Sequence, residues 1–232
     1  MISLTLAQPA SEPKDFKVTY KADYMGLPIS AKGIRQLEII APGQYLLKSS
    51  ANSLFANVEE SSAFQLKDGT AQPQAYRYQR AGLGKNKKVQ LQFDWKANSV
   101  TDLLSNTQFP LDPDRNTSDK LLYQFQLQAD LLQAARQQTL PDGFEYTVFD
   151  DGRLKQYQFQ IVGKEVLPTK LGQIKTWKIK RSNSAATRST TLWMAPDYEF
   201  MLVRFEQTDR DKKGFSLMIE EAQLGGEPIS EF

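Results

Sequence analysis

The stretch that decides the fold is residues 188–222, RSTTLWMAPDYEFMLVRFEQTDRDKKGFSLMIEEA. It predicts three short strands joined by two turns, one at Pro196-Asp197 and one between Thr208 and Gly214, because Pro, Asp and Gly favour tight reversals. The last strand carries an apolar residue at every second position: Phe215, Leu217 and Ile219. We interpret this strand as a sheet edge or as part of a barrel wall.

The region before this stretch repeats the same strand and turn pattern. Alternating apolar residues predict further strands at residues 144–148, 157–161, 165–167 and 173–181. The sequence Asp150-Asp151-Gly152 predicts a tight turn between the first two of them. The C-terminal half is therefore predicted to consist mainly of antiparallel strands.

The N-terminal half shows the same organisation. Its clearest strand has one apolar face: Phe16, Val18, Tyr20, Ala22 and Tyr24. Further strands are predicted at residues 30–40, 45–50, 54–66, 74–80 and 89–95, with turns at residues 41–43 and 68–69. The basic loop AGLGKNKK, residues 81–88, is interpreted as a solvated hairpin tip, because it lacks the spacing and the following helix of a phosphate-binding loop.

One helix is predicted, from Ser118 to Gln137. Its apolar residues recur at helical spacing: Leu121, Leu122, Phe125, Ala129 and Leu132. Thr117 or Ser118 would cap its N-terminus, with Asp119 in the first turn. Residues 123–128 also alternate as a strand would, and the Ala-, Leu- and Gln-rich continuation favours the helix.

Acidic and polar residues at a spacing of two precede this helix: Asp112, Asp114, Asn116 and Ser118. The spacing resembles the start of a calcium-binding loop. That loop requires glycine at its sixth position and glutamate at its twelfth, where this chain has Thr117 and Tyr123. No metal site is predicted.

Length and composition bound the remaining possibilities. The chain has 232 residues, 40% of them hydrophobic, which is enough for a single β-rich domain that we place at residues 16–232. Residues 1–15 are predicted to be a flexible arm or the remnant of a signal peptide. The 29 basic and 27 acidic residues nearly cancel, so no nucleic-acid partner is expected. No transmembrane segment is predicted.

The chain contains no cysteine and no histidine. This excludes thiol enzymes, thiolate zinc sites and histidine-based catalytic triads. Asp150 and Asp151 are a carboxylate pair, but adjacent aspartates before glycine are typical of a turn. Arg204, in an otherwise apolar strand, is the candidate buried charge, or an outward-facing arginine whose stem is covered. We predict no catalytic residue, no cofactor and no enzyme activity.

Four segments, in order, carry a resemblance to a known family. They are LDPDRNTSDKLLYQFQLQADL (111–131), FDDGRLKQYQFQIVGKE (149–165), LPTKLGQIKTWKIKR (167–181) and LWMAPDYEFMLVRFEQ (192–207). Over residues 16–222 the chain resembles a bacterial envelope family, domain-of-unknown-function family thirty-one-zero-eight. It departs from that pattern at Phe200-Met201-Leu202, where a tyrosine-leucine-proline-like run is expected.

The resemblance implies an exported, periplasmic protein of Gram-negative bacteria. It also implies a mainly β fold similar to that of periplasmic lipoprotein carriers. In such a fold a single antiparallel, strongly curved sheet forms a half-open barrel, and one or two helices lie over its concave face. The family supplies no catalytic residues.

Two functions are compatible with this fold. The first is non-enzymatic binding of a lipid, a lipoprotein acyl chain or another apolar ligand inside the curved sheet, near five residues: Trp95, Leu121, Phe125, Trp177 and Trp193. The same residues are also typical of an ordinary core. The alternative is a cell-envelope scaffold that binds a protein partner and has a filled interior. Its contact surface would be an exposed strand edge or the polar loops. Glu220-Glu221, which would blunt the edge of the last strand, favours a monomer instead.

Overall fold

The structure, a computed structural model, describes residues 12–25, 30–53, 56–82, 86–182, 188–209 and 214–229. In the first half the strands are β1 (Phe16–Met25), β2 (Ser30–Ala41), β3 (Gln44–Asn52), β4 (Ala56–Lys67), β5 (Thr70–Gly82), β6 (Lys87–Asp94), β7 (Ser99–Asp102) and β8 (Thr107–Pro110). In the second half the elements are β9 (Thr117–Ser118), α1 (Leu122–Gln137), β10 (Phe144–Asp150), β11 (Arg153–Thr169), β12 (Gly172–Ser182), β13 (Arg188–Ala195), the 3-10 helix Pro196–Tyr198, β14 (Met201–Asp209), β15 (Gly214–Leu224) and β16 (Glu227–Pro228).

The strands form a single sheet in which most neighbours along the chain are also neighbours in space. Its order is β8-β7-β6-β5-β4-β3-β2-β1-β15-β14-β13-β12-β11-β10-β9, and β16 pairs with β15 outside this path. β9 runs parallel to β10. The other strand pairs within the described residues, such as β1 with β2 and β10 with β11, are antiparallel. The predicted fold class, one curved and mainly antiparallel sheet with a helix over its concave face, is confirmed.

Strand β1 shows why these residues form a sheet. Val18 and Tyr20 are buried on the inner face, whereas Lys17 before them and Lys21 after them are exposed. Alternation of this kind places one face of a strand in a core and the other in water. Thr19 departs from the predicted alternation: it is buried, where the register of β1 with β15 shifts.

Strand β15 is part of the sheet wall and not an edge. It pairs with β1 on one side, and with β14 on the other side over residues 214–218. Glu220-Glu221 lie beyond the residues paired with β14, so their interpretation as an edge-blunting pair stays a prediction. Glu220 forms an ion pair with Lys170, in the turn between β11 and β12.

Strand β11 is longer than the sequence predicts. The pattern around Gly163 indicated a break between two strands, but β11 continues through it from Arg153 to Thr169. The register with β12 shifts between Ile161 and Gly163, as in a β-bulge. A bulge interrupts the alternation of side chains without ending the strand. The sequence pattern therefore predicted two strands where the structure has one.

The start of α1 also differs from the prediction. Thr117 and Ser118 belong to the short strand β9, and the helix begins at Leu122. Asp119 supplies the cap: one of its carboxylate oxygens accepts hydrogen bonds from the backbone N–H groups of Leu121 and Leu122, at 2.9 and 2.8 Å. A carboxylate there satisfies N–H groups that have no partner within the helix.

The buried face of α1 is wider than the predicted stripe. Of the predicted residues, Ala129 and Leu132 are only partly buried. The buried residues of the helix are Leu122, Tyr123, Phe125, Leu127, Leu131 and Ala134. A helix that lies inside a curved sheet is covered on two sides, so its buried positions do not follow a single narrow stripe.

Side chains bring the two ends of the sheet together. The rings of Phe109 on β8 and Phe149 on β10 lie 5.2 Å apart, measured between centroids. Lys87, at the start of β6, forms an ion pair of 2.7 Å with Asp151 in the turn after β10. The sheet thus curves into a ring whose two ends meet through side chains, as a half-open barrel would.

Two further expectations concern the N-terminal arm and membrane-spanning helices. The predicted arm, residues 1–15, lies mostly outside the described residues, and the described part of it, residues 12–15, precedes β1 without forming a strand. Of the helices in the described ranges, none has the length and apolar character needed to cross a membrane.

Candidate functional site

The inner face of the first half of the sheet is an aromatic and aliphatic surface covered by the start of α1. Phe125 of the helix lies 4.9 Å from the ring of Phe64 on β4, which stacks on Tyr45 of β3 at 5.3 Å. Leu121 and Leu122 are buried in the same cluster. The helix therefore forms one wall of the core of this half.

The other side of α1 packs on the second half of the sheet. The Tyr123 ring stacks on Phe159 at 5.6 Å and meets the edge of Tyr157 at 5.2 Å, both residues of β11. Leu127 and Leu131 are fully buried in this second cluster. Helix α1 thus lies between two apolar surfaces that belong to one continuous sheet.

Polar side chains of α1 fix the helix to three separate parts of the sheet. Gln126 accepts a hydrogen bond of 2.7 Å from the backbone N–H of Ala71 at the start of β5. Gln128 donates one of 2.9 Å to the backbone oxygen of Glu199, before β14. The hydroxyl of Tyr146 on β10 donates one of 2.6 Å to Asp130. These bonds set the position of the helix over the inner face.

Four of the five residues predicted to bind a ligand, all but Trp177, lie in or against the first cluster. Leu121 and Phe125 are buried within it, at 1% and 3% exposure. Trp95 lies in the turn after β6, where its indole N–H donates a hydrogen bond of 2.7 Å to the backbone oxygen of Pro73. Its ring stacks on Phe93 at 6.3 Å.

The two tryptophans of the second half lie on opposite faces of the sheet. Trp177 of β12 meets Phe200 edge to face at 4.9 Å, in the second cluster. Trp193 of β13 pairs with Lys178, the neighbour of Trp177, so it points to the other face, where it is buried in the first cluster. The structure therefore does not gather all five residues around one site, and their role in ligand binding stays a prediction.

Trp193 lies between two cations on neighbouring strands. Lys178 lies over its ring at 5.2 Å and Arg204 at 4.8 Å, and its indole N–H donates a hydrogen bond of 2.7 Å to Glu165. Arg204, the predicted buried charge, is a third exposed and also pairs with Glu206 at 3.1 Å. Arg204 is therefore partly buried over a core tryptophan, so neither alternative for Arg204 describes its position fully.

The buried charges lie at the N-terminal end of α1. Arg35 on β2 is 7% exposed and donates a hydrogen bond of 2.5 Å to the side-chain oxygen of Gln124. Glu60 on β4 accepts one of 2.5 Å from the hydroxyl of Tyr76. Burial lowers the pKa of Arg35 and raises the pKa of Glu60, because each loses the water that stabilises its charge.

Asp150 connects this region to the second half of the sheet. It accepts hydrogen bonds from Lys155 at 2.5 Å and from the Tyr157 hydroxyl at 3.1 Å, and Lys120 lies 3.2 Å away. Burial opposes ionisation of Asp150, but the lysines hold its pKa below the ordinary value. Asp151 accepts a hydrogen bond of 2.7 Å from Lys87, and Lys155 lies 4.0 Å from Asp151 as well.

Two further polar groups complete the region. The guanidinium of Arg181 on β12 lies 3.4 Å above the ring of Tyr157. Its Nε atom and the hydroxyl of Ser118 are buried, and neither has a hydrogen-bond partner among the described residues. We call the following residues the charged cluster: Arg35, Glu60, Ser118, Lys120, Tyr123, Gln124, Asp150, Lys155, Tyr157 and Arg181.

The sequence pattern did not single out most of the charged cluster. Arg35 and Glu60 stand at positions that the register of β2 and β4 turns inward, in line with buried residues such as Leu37 and Phe64. A charged residue in the apolar row of an alternating strand is the signal that could have found them. Reading it requires the strand register, which the weak patterns of β2 and β4 do not fix.

A surface groove of about 320 Å³ lies near the start of β1, apart from the charged cluster. Its lining is mostly polar and includes Asp15, Lys17, Gln36 and Glu38. None of the five predicted ligand residues is among the described residues that line it.

Comparison with known proteins assigns the chain to a family. The family model described as "Protein of unknown function (DUF3108)" matches residues 16–218, most of the chain. The chain belongs to the DUF3108 family. This match confirms the resemblance inferred from the four segments. No curated protein matches the sequence significantly.

Solved structures resemble this DUF3108 protein at low identity. A β-barrel-like protein of domain of unknown function DUF1849 from Brucella abortus is 7% identical, with a TM-score of 0.62 over 92% of this chain and 99% of that one. A domain from Vibrio parahaemolyticus, provisionally assigned to outer membrane lipoprotein sorting, is 9% identical, with a TM-score of 0.24 over 90% and 85% of the two chains.

A third solved structure, a DUF1329 family protein from Desulfovibrio piger, is also 9% identical, with a TM-score of 0.26 over 93% of this chain and 87% of that one. The second and third likenesses are too weak to carry an argument. The first shows the fold alone, which is β-barrel-like.

Proposed function

We propose that this DUF3108 protein is a non-enzymatic protein of the bacterial periplasm that binds a lipid or another apolar ligand between α1 and the curved sheet. The observation that carries the proposal is the position of α1, a single helix that lies between two aromatic surfaces of the same sheet. The family resemblance, which implies export, supports the location.

An apolar ligand would enter this space by displacing α1. Apolar contacts between the helix and the sheet would be replaced by similar contacts with the ligand, so their loss is largely compensated. The hydrogen bonds of Gln126, Gln128 and Asp130 would be lost, at about 1 kcal/mol each. Displacement of the helix is therefore within reach of the binding energy of an alkyl chain, about 0.8 kcal/mol for each buried CH₂ group.

The test measures both binding and the movement of the helix. Because the chain has no cysteine, a single cysteine at the exposed position Gln133 on α1 can carry an environment-sensitive fluorophore. We expect added fatty acid or phospholipid to change its emission. The same label at Gln79, an exposed position on β5, is the matched control and should not respond.

Native mass spectrometry of protein purified from a Gram-negative periplasm provides the independent measurement. A bound lipid, identified by solvent extraction, supports the proposal, and so does weaker lipid uptake by Phe125→Glu than by Gln133→Glu on the same helix. A mass equal to that of the chain alone, with no uptake of added fatty acid and no response at Gln133, would contradict it.

A second function is favoured by the dense packing beneath α1. Leu122, Leu127 and Leu131 are completely buried against the sheet, as expected of a filled interior. A scaffold that binds an envelope protein through its outer surface needs no space inside. This alternative predicts that locking α1 in place leaves all binding unchanged.

A further inference from the structure

We propose that the charged cluster at the N-terminal end of α1 binds an anionic group, a carboxylate or a phosphate. The inference rests on the proposed function for the position of the ligand's apolar part beside α1. The anionic group would then lie where the helix begins, and the apolar chain would follow the helix.

The first turn of α1 joins the members of the cluster into one region. Gln124 binds Arg35 on β2, and its neighbour Tyr123 contacts Tyr157 on β11. The Tyr157 ring in turn lies under Arg181. The two guanidinium groups therefore lie on either side of a single helical turn.

Arg35 has more hydrogen-bond donors than its bond to Gln124 requires. A guanidinium carries five N–H donors and is recognised best by two oxygens of one anion. Its hydrogen-bond acceptor here is the neutral side-chain oxygen of Gln124. No carboxylate among the described residues lies within ion-pair distance of Arg35. Buried charges in proteins are normally paired, so a buried cation bound to a neutral amide leaves a place for a negative partner.

Unpaired donors on the other side of the helix support the same chemistry. The Nε–H of Arg181 and the hydroxyl of Ser118 are buried without a partner in the described residues, and Ser118 is 7% exposed. The register of β9 against β10 pairs Ser118 with Val148, a residue of the inner face, and so turns Ser118 inward. Thr117, also unpaired, points to the opposite face and is not part of the site.

The balance of charge favours an anion over a cation. The cluster contains four basic side chains, Arg35, Lys120, Lys155 and Arg181, and two carboxylates, Glu60 and Asp150. Even when the neighbouring buried carboxyl group of Asp119 is counted as charged, an excess of one positive charge remains. Both carboxylates already accept hydrogen bonds from tyrosine hydroxyls, and Asp150 also from Lys155. The cluster's buried atoms without a hydrogen-bond partner in the described residues are the Nε of Arg181, the hydroxyl of Ser118 and one oxygen of Asp150, and that oxygen lies 3.2 Å from the Lys120 ammonium group.

The test compares ligands that share an alkyl chain but differ in charge. Laurate, lauryl alcohol and inorganic phosphate are titrated into the full chain by calorimetry. We expect laurate to bind at least about tenfold more tightly than lauryl alcohol, a difference that one charge-assisted contact provides. Arg181→Gln and Arg35→Gln should each reduce that ratio towards one. Arg77→Gln, at an exposed position on β5, is the matched control and should preserve it.

The outcomes separate this inference from the proposed function. Equal affinities for laurate and lauryl alcohol would overturn the anion site and leave the apolar site intact. Binding of phosphate that Arg181→Gln abolishes, without uptake of either lipid, would support the anion site and contradict the apolar one. If Arg35→Gln unfolds, Arg181→Gln decides alone, because Arg181 is only partly buried. Laurate and phosphate that bind equally well to both Arg→Gln variants would also overturn the inference.

Discussion

The Ser62 hydroxyl on β4 donates a buried hydrogen bond of 2.5 Å to Asp119, the residue that caps α1. The second carboxylate oxygen of Asp119 accepts the two backbone N–H groups at the start of the helix. One carboxyl group thus fixes the helix to the first half of the sheet. Because Asp119 is fully buried, its pKa is raised to about 7.

Asp119 should make stability depend on pH in the neutral range. A raised folded-state pKa gives stability that is complete below the unfolded-state pKa and is lost as pH rises through the folded value. Between about pH 4 and pH 7 we therefore expect the wild type to lose up to about 1.4 kcal/mol per pH unit relative to Asp119→Asn, which keeps an oxygen acceptor. Urea unfolding of both proteins at several pH values measures this. Parallel pH profiles would show that Asp119 is ionised throughout.

The contact between Phe109 and Phe149 should stabilise the ring of strands. Phe149→Ala removes a buried ring and should lower the free energy of unfolding by about 3–5 kcal/mol, whereas Phe109→Ala, at a partly exposed position, should cost less. In the double variant the two losses should fall short of additivity by about 0.5–1.5 kcal/mol, the coupling typical of an aromatic pair. Strict additivity in denaturant unfolding would mean that the rings do not hold the two ends together.

The hydrogen bond between Tyr146 and Asp130 should slow opening of α1. Tyr146→Phe keeps the ring in the core but removes the hydroxyl that pairs with a largely buried carboxylate. We expect a loss of about 1–3 kcal/mol and faster amide hydrogen exchange throughout α1. Gln133→Ala, an exposed change on the same helix, is the control. Unchanged exchange in Tyr146→Phe would show that the apolar contacts alone hold the helix.

Gly214 should not tolerate a side chain. A methyl group at this position would overlap the backbone of Gln207 and Thr208 on β14, which cannot move without breaking the pairing of β14 with β15. We expect Gly214→Ala to lower the midpoint of thermal unfolding by several degrees. Gly163→Ala, at the bulge of β11, meets no neighbour within 4 Å and is the matched control. Equal midpoints would contradict the register of β14 and β15.

The alternation of apolar and polar residues predicted the strands wherever one face of the strand is apolar and the other polar. Strand β1 and the turn at Asp151-Gly152, where both residues have positive φ, follow directly from local sequence. Strands β7 and β8 were not predicted, because each has only four residues and too few positions to show a period. Local sequence patterns therefore predicted most strands of the sheet but not β7 and β8, which lie at one end of it.

The charged cluster was harder to predict than the fold. Its members come from six strands, from α1 and from the short segment between β9 and α1, and Arg35 and Arg181 lie on either side of the first turn of α1 only because the sheet curves round it. Arg204, which the sequence singled out, stands in an apolar run and lies partly exposed over Trp193. A lone charge in an apolar stretch identifies an unusual residue, but the face it occupies depends on register shifts such as the one between Trp193 and Met194.

The pairing of Phe16 with Leu224 joins the first long strand to the last. Most other strand pairs form between chain neighbours through short turns, whereas this one closes a loop that contains nearly the whole chain. Loop closure of that length carries the largest entropic cost, and contacts between distant segments slow folding. The first eight strands and the remaining elements should each collapse before they join. Two fragments cut between Leu111 and Asn116 should then reassemble into the native domain when mixed.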